Sequence, residues 1–186
     1  MTISSTSESA AGAGESVGTG VFLTATGEIL TNAHVVDGAS KIQVRLFNET
    51  EPRTGKVVAS DVGNDLALVK IEGTNFQPAQ FADPKGIRLG DAVIAIGSPL
   101  GLSGTVTTGI ISAKNRPVTA GDSSNESSFI NALQTDAAIN PGNSGGALLD
   151  SQGRIIGVNS AIATLSTGGV SGSIGLGFSI PINEAK

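Results

Sequence analysis

A serine and a histidine that together could perform nucleophilic catalysis stand far apart in this chain. The only histidine is His34, in the segment TNAHVV (31–36), and Ser144 lies in the glycine-rich run GNSGG (142–146). A serine hydroxyl is a poor nucleophile until a neighbouring base takes its proton. With one imidazole in the chain, His34 is the sole histidine that could be this base. The pair therefore predicts covalent catalysis through Ser144.

An acid that could orient the imidazole lies between these two residues in the sequence. Asp65, in NDLALVK (64–70), directly precedes an apolar run, so we expect its carboxylate at a buried strand start. A buried carboxylate needs a hydrogen-bonding partner, and the Nδ1–H of His34 would be one. Asp136 is the competing acid. Because it lies eight residues before Ser144 on the same segment, we expect its side chain to form hydrogen bonds with backbone groups of its own β-barrel.

Each of these residues also has a plainer interpretation. GNSGG could be an ordinary tight turn, His34 a core histidine bonded to a carbonyl, and Asp65 a turn residue. GNSGG also fits the G-x-S-x-G elbow of lipases and esterases, which requires a histidine after the serine. No histidine follows residue 34, which excludes the elbow. The order His34, Asp65, Ser144 is instead that of chymotrypsin-type proteases.

The glycines around Ser144 suit an oxyanion hole. Gly142 has no Cβ, so its backbone N–H and that of Ser144 could converge on one point, with Asn143 contributing backbone between them. Losing one such donor typically reduces the rate by about 10²–10³. Gly145 and Gly146 would let the following strand leave without obstructing a substrate.

The amino-acid composition limits which classes of protein and of functional site are possible. Apolar residues make up 39% and charged residues 15% of the 186 residues, which indicates a globular domain. The absence of cysteine excludes disulfides, thiolate metal sites and a cysteine nucleophile. One histidine and no cysteine argue against structural zinc, and the predicted chemistry needs no metal and no cofactor. A net charge of −5 argues against nucleic acid as the main partner, and no apolar run is long enough to cross a bilayer.

The hydrophobic pattern predicts eleven or twelve short strands and almost no helix. KIQVRL (41–46) alternates polar and apolar residues, as half-buried strands do, and turn residues at 25–28 and 150–154 predict hairpins. The predicted strands are 17–24, 29–32, 41–46, 56–59, 66–71, 93–96, 105–112, 129–134, 147–149, 155–159 and 176–180. Such a series is typical of barrels or a sandwich.

The remaining segments predict the organisation of the domain. Residues 1–15 are small, polar and non-periodic, which predicts a flexible leader before a domain at 16–186. This start has neither a basic n-region nor an apolar h-region, so we expect no signal peptide in this chain. ADPKG (82–86) is a plausible connection between two halves, at about 16–83 and 88–182.

Two polar segments, 115–128 and 164–173, are predicted to be long loops. Helix is expected only as a short turn after Ala33 and as a start after Pro181, since proline is favoured at a first helical position.

Together these segments resemble the HtrA (Deg) family of serine proteases. The likeness covers nearly everything from residue 16 to 181, and it is carried by TNAHVV (31–36), NDLALVK (64–70), TDAAINPGNSGG (135–146), IIGVN (155–159) and GLGFSIP (175–181). The resemblance implies an all-β fold with very little helix, made of two packed six-stranded antiparallel β-barrels of the chymotrypsin/trypsin type. It places the triad His34, Asp65 and Ser144 in the cleft between the barrels.

The same resemblance implies a substrate pocket. Its residues would be Ile139, Asn140, Ile162 and Ala163, with S1 lined by the apolar three. Trypsin-like relatives carry an acid six residues before the nucleophile, where this chain has Ala138. We therefore expect small aliphatic residues at P1. Selectivity should be loose, because one methylene changes it by only about 1–3 kcal/mol.

We therefore predict a serine endopeptidase of HtrA type that cleaves unfolded or misfolded proteins through an acyl-enzyme. By resemblance it would act extracytoplasmically, in the periplasm or cell envelope, in protein quality control and the stress response. HtrA proteins typically carry PDZ domains after the protease, which we expect to be missing from this chain, and a homotrimer is an assembly that the resemblance allows. One alternative is a proteolytically inactive peptide-binding or chaperone module. A lectin-like domain is disfavoured by the absence of Trp and Tyr.

Overall fold

The computed structural model describes residues 1–9, 12–99, 104–120, 128–161 and 173–185. The strands are β1 Thr2–Ser9, β2 Gly12–Thr19, β3 Val21–Phe22, β4 Glu28–Thr31, β5 Lys41–Arg45, β6 Arg53–Asp61, β7 Leu66–Ile71, β8 Ala92–Gly97, β9 Thr105–Ala120, β10 Ser128–Thr135, β11 Ala147–Asp150, β12 Ile155–Ser160 and β13 Gly177–Pro181. Helix among these residues is one α-turn, α1 (Ala33–Val36), and 3₁₀ turns at Pro84–Gly86 and Ile182–Ala185. The predicted all-β class is confirmed.

The N-terminal half is an antiparallel sheet of seven strands in the order β2-β1-β5-β6-β7-β4-β3. It curls around a cluster in which Ile3, Ile29, Val35, Val44 and Val69 are fully buried. Among the described residues no strand pairing joins β2 to β3, so this half is a curled half-barrel with one strand more than predicted.

The C-terminal half closes on itself. Its six strands pair in the order β10-β13-β12-β11-β8-β9, which is the predicted six-stranded barrel. Leu148 is fully buried inside it, with Val93, Ile111 and Ile139 beside it. A third cluster joins the two halves, since Leu30 and Leu66 of the N-terminal sheet share it with Ile155 and Ile180 of the barrel.

The flexible leader predicted for residues 1–15 needs correction. β1 and β2 form a hairpin there, and β1 also pairs with β5 through Ile3↔Val44. Ile3 is the one large apolar residue in the Ser- and Thr-rich β1, so the local pattern is weak. The strand is fixed by distant partners, among them the Val35 carbonyl, which accepts a 2.6 Å hydrogen bond from the Ser5 hydroxyl.

The predicted loop at 115–128 is shorter than expected. β9 continues through Ala120 and pairs with β10 as far as Ser128↔Ala120, because the polar residues of this segment have ladder partners on the neighbouring strand. Residues 121–127 lie outside the described part of the chain, as does the predicted loop at 164–173 apart from Ser173. The helical turn predicted after Ala33 is confirmed, and the start after Pro181 is a 3₁₀ turn.

Candidate active site

Strand pairing brings His34 next to Asp65. β4 runs antiparallel to β7 with Thr31 opposite Ala67, so the residues after β4 lie beside those before β7. His34, the second residue of α1, has its Nδ1 2.9 Å from both carboxylate oxygens of Asp65. Its backbone N–H also donates to Asp65 Oδ1 at 3.0 Å. The acid and the imidazole predicted to work together are therefore in direct contact.

Asp65 is held in place by more than His34. Its backbone has φ +52°, a conformation that costs a residue with a side chain about 1 kcal/mol or more, and the Asn32 Nδ2 donates to its carbonyl at 2.8 Å. Asp65 is 3% exposed, and its carboxylate accepts a further hydrogen bond, 3.4 Å long, from the Ser160 hydroxyl. These contacts satisfy a buried charge that would otherwise be costly.

The Asp65 contact determines which imidazole nitrogen is free. An ionised carboxylate can only accept hydrogen bonds, so His34 Nδ1 must carry the proton. The neutral ring then presents its lone pair at Nε2. This is the form required of a general base. The side chain of His34 is 26% exposed, so the ring borders both the protein and solvent.

Asp136, the competing acid, does not reach His34. Its Oδ1 accepts a hydrogen bond of 2.8 Å from the backbone N–H of Ile110, within the C-terminal barrel. This agrees with the expectation that it bonds backbone in its own barrel.

The loop carrying Ser144 is attached to both halves of the molecule. The Ser144 carbonyl accepts a 2.7 Å hydrogen bond from the N–H of Thr19, at the end of β2, and the Gly145 N–H donates to the Asn159 carbonyl at 2.9 Å. A Cβ on Gly145 would collide with the Thr19 carbonyl and the Thr31 hydroxyl, and would lie 3.2 Å from the Asn32 nitrogen. The loop thus packs directly against the segment that leads into His34.

The hydroxyl of Ser144 has a partner other than histidine. Its Oγ accepts a 3.1 Å hydrogen bond from the backbone N–H of Ala161, and Ser144 is only 4% exposed. Among the described residues, no hydrogen bond joins this hydroxyl to His34. Nucleophile–base bonds are often absent or loose in unliganded enzymes and tighten only with substrate. We expect rotation of the Ser144 side chain to exchange the Ala161 N–H for His34 and so form the predicted pair.

Of the three residues predicted for the oxyanion hole, two have a backbone N–H without an acceptor among the described residues. The N–H groups of Gly142 and Ser144 have no hydrogen-bond acceptor in the part of the chain that the structure describes. The N–H of Asn143 instead donates to the Asn140 carbonyl at 2.9 Å. Gly142 has φ +97°, which explains a glycine at this position. Asn143 therefore contributes only the connecting backbone, and its side chain is buried away from solvent.

The structure describes two of the four predicted substrate-binding residues, Ile139 and Asn140. Ile139 is 2% exposed and belongs to the barrel core, together with Ala161. The Asn140 side chain accepts a 2.8 Å hydrogen bond from the Ser173 N–H. Ile162 and Ala163 lie outside the described residues, and the S1 pocket stays a prediction.

Sequence reasoning missed three residues that contact the site. Ser160 and Asn32 support Asp65, and Thr19 bonds the Ser144 loop. Only Thr19 carries a local signal, because glycines flank it on both sides. Ser160 is brought to Asp65 from 95 residues away, which no local pattern encodes.

Comparison with known proteins identifies the family. A model of the trypsin-like peptidase domain matches residues 18–158. The chain belongs to this family. Within it, the chain belongs to the HtrA (Deg) group of serine proteases, since the curated relatives are HtrA- and DegP-type proteins.

Two relatives illustrate the similarity. The chain is 47% identical over 182 residues to the serine protease PepD of Mycobacterium tuberculosis, an alignment of 91% of this chain and 39% of that protein. It is 50% identical over 162 residues to the serine protease Do-like HtrB of Bacillus subtilis, covering 85% of this chain and 34% of the relative. The chain thus spans well under half the length of these relatives.

Solved structures of HtrA-type proteases have the same fold. HtrA-type protease AlgW with a tripeptide superposes with a TM-score of 0.84 at 41% identity, covering 99% of this chain and 56% of that chain. AlgW with a decapeptide gives a TM-score of 0.79 at 43% identity, over 94% of this chain and 51% of that chain. The chymotrypsin-like fold predicted from the HtrA resemblance is therefore confirmed.

Proposed function

We propose that this HtrA-family chain is the catalytic domain of a serine endopeptidase, with Ser144 as nucleophile, His34 as general base and Asp65 as its orienting acid. One observation carries the proposal most directly: both oxygens of a buried carboxylate lie 2.9 Å from His34 Nδ1, in a fold where the Ser144 loop packs against the segment that leads into that histidine. This contact fixes the tautomer that accepts a proton at Nε2.

The reaction would proceed through an acyl-enzyme. Ser144 Oγ leaves the Ala161 N–H, gives its proton to His34 Nε2 and bonds to the scissile carbonyl carbon. The oxygen of that carbonyl becomes an oxyanion, which accepts from the N–H groups of Gly142 and Ser144. His34 then protonates the leaving amine as the C–N bond breaks, and water hydrolyses the ester by the same steps. Asp65 stabilises the imidazolium without taking its proton.

The proposed substrate class rests on the residue types predicted for the S1 pocket and on the relatives. Ala138 stands where an acid would receive a basic P1 side chain, and Ile139 beside it is apolar, which favours small aliphatic P1 residues. The two AlgW structures are complexes with a tripeptide and with a decapeptide. We propose unfolded or misfolded protein as substrate, because only an extended segment can enter a cleft between barrels.

We also propose an extracytoplasmic location. Curated relatives at 42–44% identity are named probable periplasmic proteases, in Haemophilus influenzae and in Pseudomonas savastanoi. Within the described residues, no helix is both long enough and apolar enough to span a bilayer. From the family resemblance, we also propose that the protein forms a homotrimer and that it works together with a PDZ domain.

A second function is a peptide-binding module without proteolysis, favoured by one observation: the Ser144 hydroxyl is bonded to Ala161 and not to His34. Digestion of unfolded casein by the wild type and by Ser144→Ala separates the two. The protease hypothesis predicts a loss of about 10⁶ in kcat on removing the nucleophile, with peptide affinity kept. Equal, negligible digestion by both proteins would leave the binding module as the function.

A further inference from the structure

Thr19 uses all of its polar groups at the boundary between the two halves. Its N–H donates to the Ser144 carbonyl at 2.7 Å, and its hydroxyl donates to the Gly142 carbonyl at 2.8 Å. The same hydroxyl accepts from the Ser98 N–H at 2.9 Å, and the Thr19 carbonyl accepts from the Thr31 hydroxyl at 2.7 Å. Thr19 is 3% exposed, so these bonds are shielded from water.

The two carbonyls bound by Thr19 belong to alternate peptide groups of the nucleophile loop. The peptide 142–143 is fixed at both ends, because its N–H donates to the Asn140 carbonyl at 2.9 Å. The peptide 144–145 is also fixed at both ends, since its N–H donates to the Asn159 carbonyl. Between them lies the peptide 143–144, which carries the N–H of Ser144. The carbonyl of this middle peptide, that of Asn143, accepts from the Gly146 N–H at 2.9 Å, and both neighbouring planar peptides are fixed, so the direction of the Ser144 N–H is restricted.

The flanking glycines allow this close approach. A Cβ on Gly18 would lie 3.1 Å from the Ser144 carbonyl oxygen and 2.6 Å from a methyl group of Val35. A Cβ on Gly20 would lie 2.8 Å from the Ile3 side chain. Because Gly18 and Gly20 have no side chains, Thr19 can approach the loop that carries Ser144.

We propose that the Thr19 hydroxyl is a positioning group for the oxyanion hole: it holds the Gly142 carbonyl so that the Ser144 N–H stays directed at the reacting carbonyl. The proposal rests on the proposed protease function. Thr19 acts from the N-terminal half on a loop 123 residues away, so it also links the geometry of the hole to the packing of β2.

The test compares Thr19→Val, which keeps the shape and removes the hydroxyl, with Thr19→Ser, which keeps the hydroxyl. Thr54→Val, at an exposed position on β6, is the matched control. The readout is the inactivation of each protein by a fluorophosphonate probe, separated into the limiting rate kinact and the probe affinity KI. The phosphonyl oxygen occupies the oxyanion position, so no knowledge of the natural substrate is needed.

Thr19→Val should lower kinact by about 10- to 100-fold, the scale expected for a slight misplacement of catalytic groups, while KI stays unchanged. Thr19→Ser should restore most of the rate, and Thr54→Val should match the wild type. Melting curves set a temperature at which every variant is folded. A Thr19→Val enzyme that reacts at the wild-type rate, or a Thr19→Ser enzyme as slow as Thr19→Val, overturns this inference alone. A wild type that does not react at Ser144 overturns the proposed function, and this inference with it.

Discussion

The Ser144 hydroxyl accepts a hydrogen bond from the Ala161 backbone N–H, with 3.1 Å between oxygen and nitrogen. This bond uses a lone pair of the oxygen and leaves the hydroxyl proton free to be donated. The Ser144 hydroxyl is therefore held by the backbone of Ala161, directly after β12. The proposed mechanism requires that it exchange this partner for His34.

A structure of the enzyme with a peptide boronate bound to Ser144 should show that exchange. The bonded Oγ would then lie beyond hydrogen-bonding distance of the Ala161 nitrogen, and His34 Nε2 would lie within reach of the boronate oxygens. An adduct in which the Oγ remains bonded to the Ala161 N–H would contradict the proposed rotation.

Asp65→Asn should lower kcat by about 10⁴-fold with little change in fold. An amide nitrogen facing His34 Nδ1 would favour the wrong tautomer and leave a proton on Nε2. Asp136→Asn is the matched control, because its oxygen can still accept from the Ile110 N–H. Steady-state hydrolysis of a peptide substrate measures both. Similar activity in the two variants would remove Asp65 from the mechanism.

Gly145→Ala should abolish activity, whereas Gly153→Ala should leave it intact. Both glycines have positive φ, +83° and +75°, so each substitution carries about 1–2 kcal/mol of backbone strain. A Cβ on Gly145 additionally meets the Thr19 carbonyl and the Thr31 hydroxyl, while one on Gly153 meets no atom within 4 Å. Urea unfolding and peptide hydrolysis together test this. Equal loss of stability in both variants would argue against the close packing of the loop.

Asp150→Ala should reduce the free energy of unfolding by about 1–2 kcal/mol at neutral pH. Asp150 accepts hydrogen bonds from the Gln152 and Arg154 N–H groups and pairs with the Arg154 side chain. Burial acts to raise its pKa, but the hydrogen bonds from Arg154 and Gln152 and the charge of Arg154 lower the pKa below its ordinary value.

The sign of this pKa shift sets the pH dependence. Because the carboxyl of Asp150 is more acidic in the fold than in the unfolded chain, its contribution is complete above the unfolded pKa and disappears as the pH falls through the folded one. The difference in the free energy of unfolding between the wild type and Asp150→Ala should therefore become smaller below about pH 4. Glu51→Ala, an exposed acid, serves as control. If this difference in unfolding free energy stays constant as the pH falls, Asp150 stabilises the fold only through packing.

Local sequence patterns predicted that His34 and Asp65 would lie together, because each residue lies in its own short motif. The contact of His34 with Asp65 follows from two adjacent strands, β4 and β7, whose apolar alternation is visible in the sequence. Of the two candidate acids, Asp65 and not Asp136 contacts His34, and only Asp65 precedes an apolar strand in the half that carries the histidine.

Non-local contacts were not predictable in the same way. β1 contains one large apolar residue, and its strand conformation depends on pairing with β5, which begins more than thirty residues later. The roles of Thr19 and Ser160 depend on carbonyl and carboxylate partners 123 and 95 residues away. The Ser144 hydroxyl is bonded to the backbone N–H of Ala161, 17 residues further along the chain. Such contacts become visible only when the chain is folded.

The central claim is that Ser144 is a nucleophile activated by His34, and covalent labelling tests it most directly. The wild type would be treated with a fluorophosphonate probe, digested, and the modified peptide located by mass spectrometry, with Ser144→Ala and His34→Ala in parallel. We predict a single adduct on Ser144, none in Ser144→Ala and little in His34→Ala. An unlabelled wild type, or an adduct on another serine that persists in Ser144→Ala, would contradict the account.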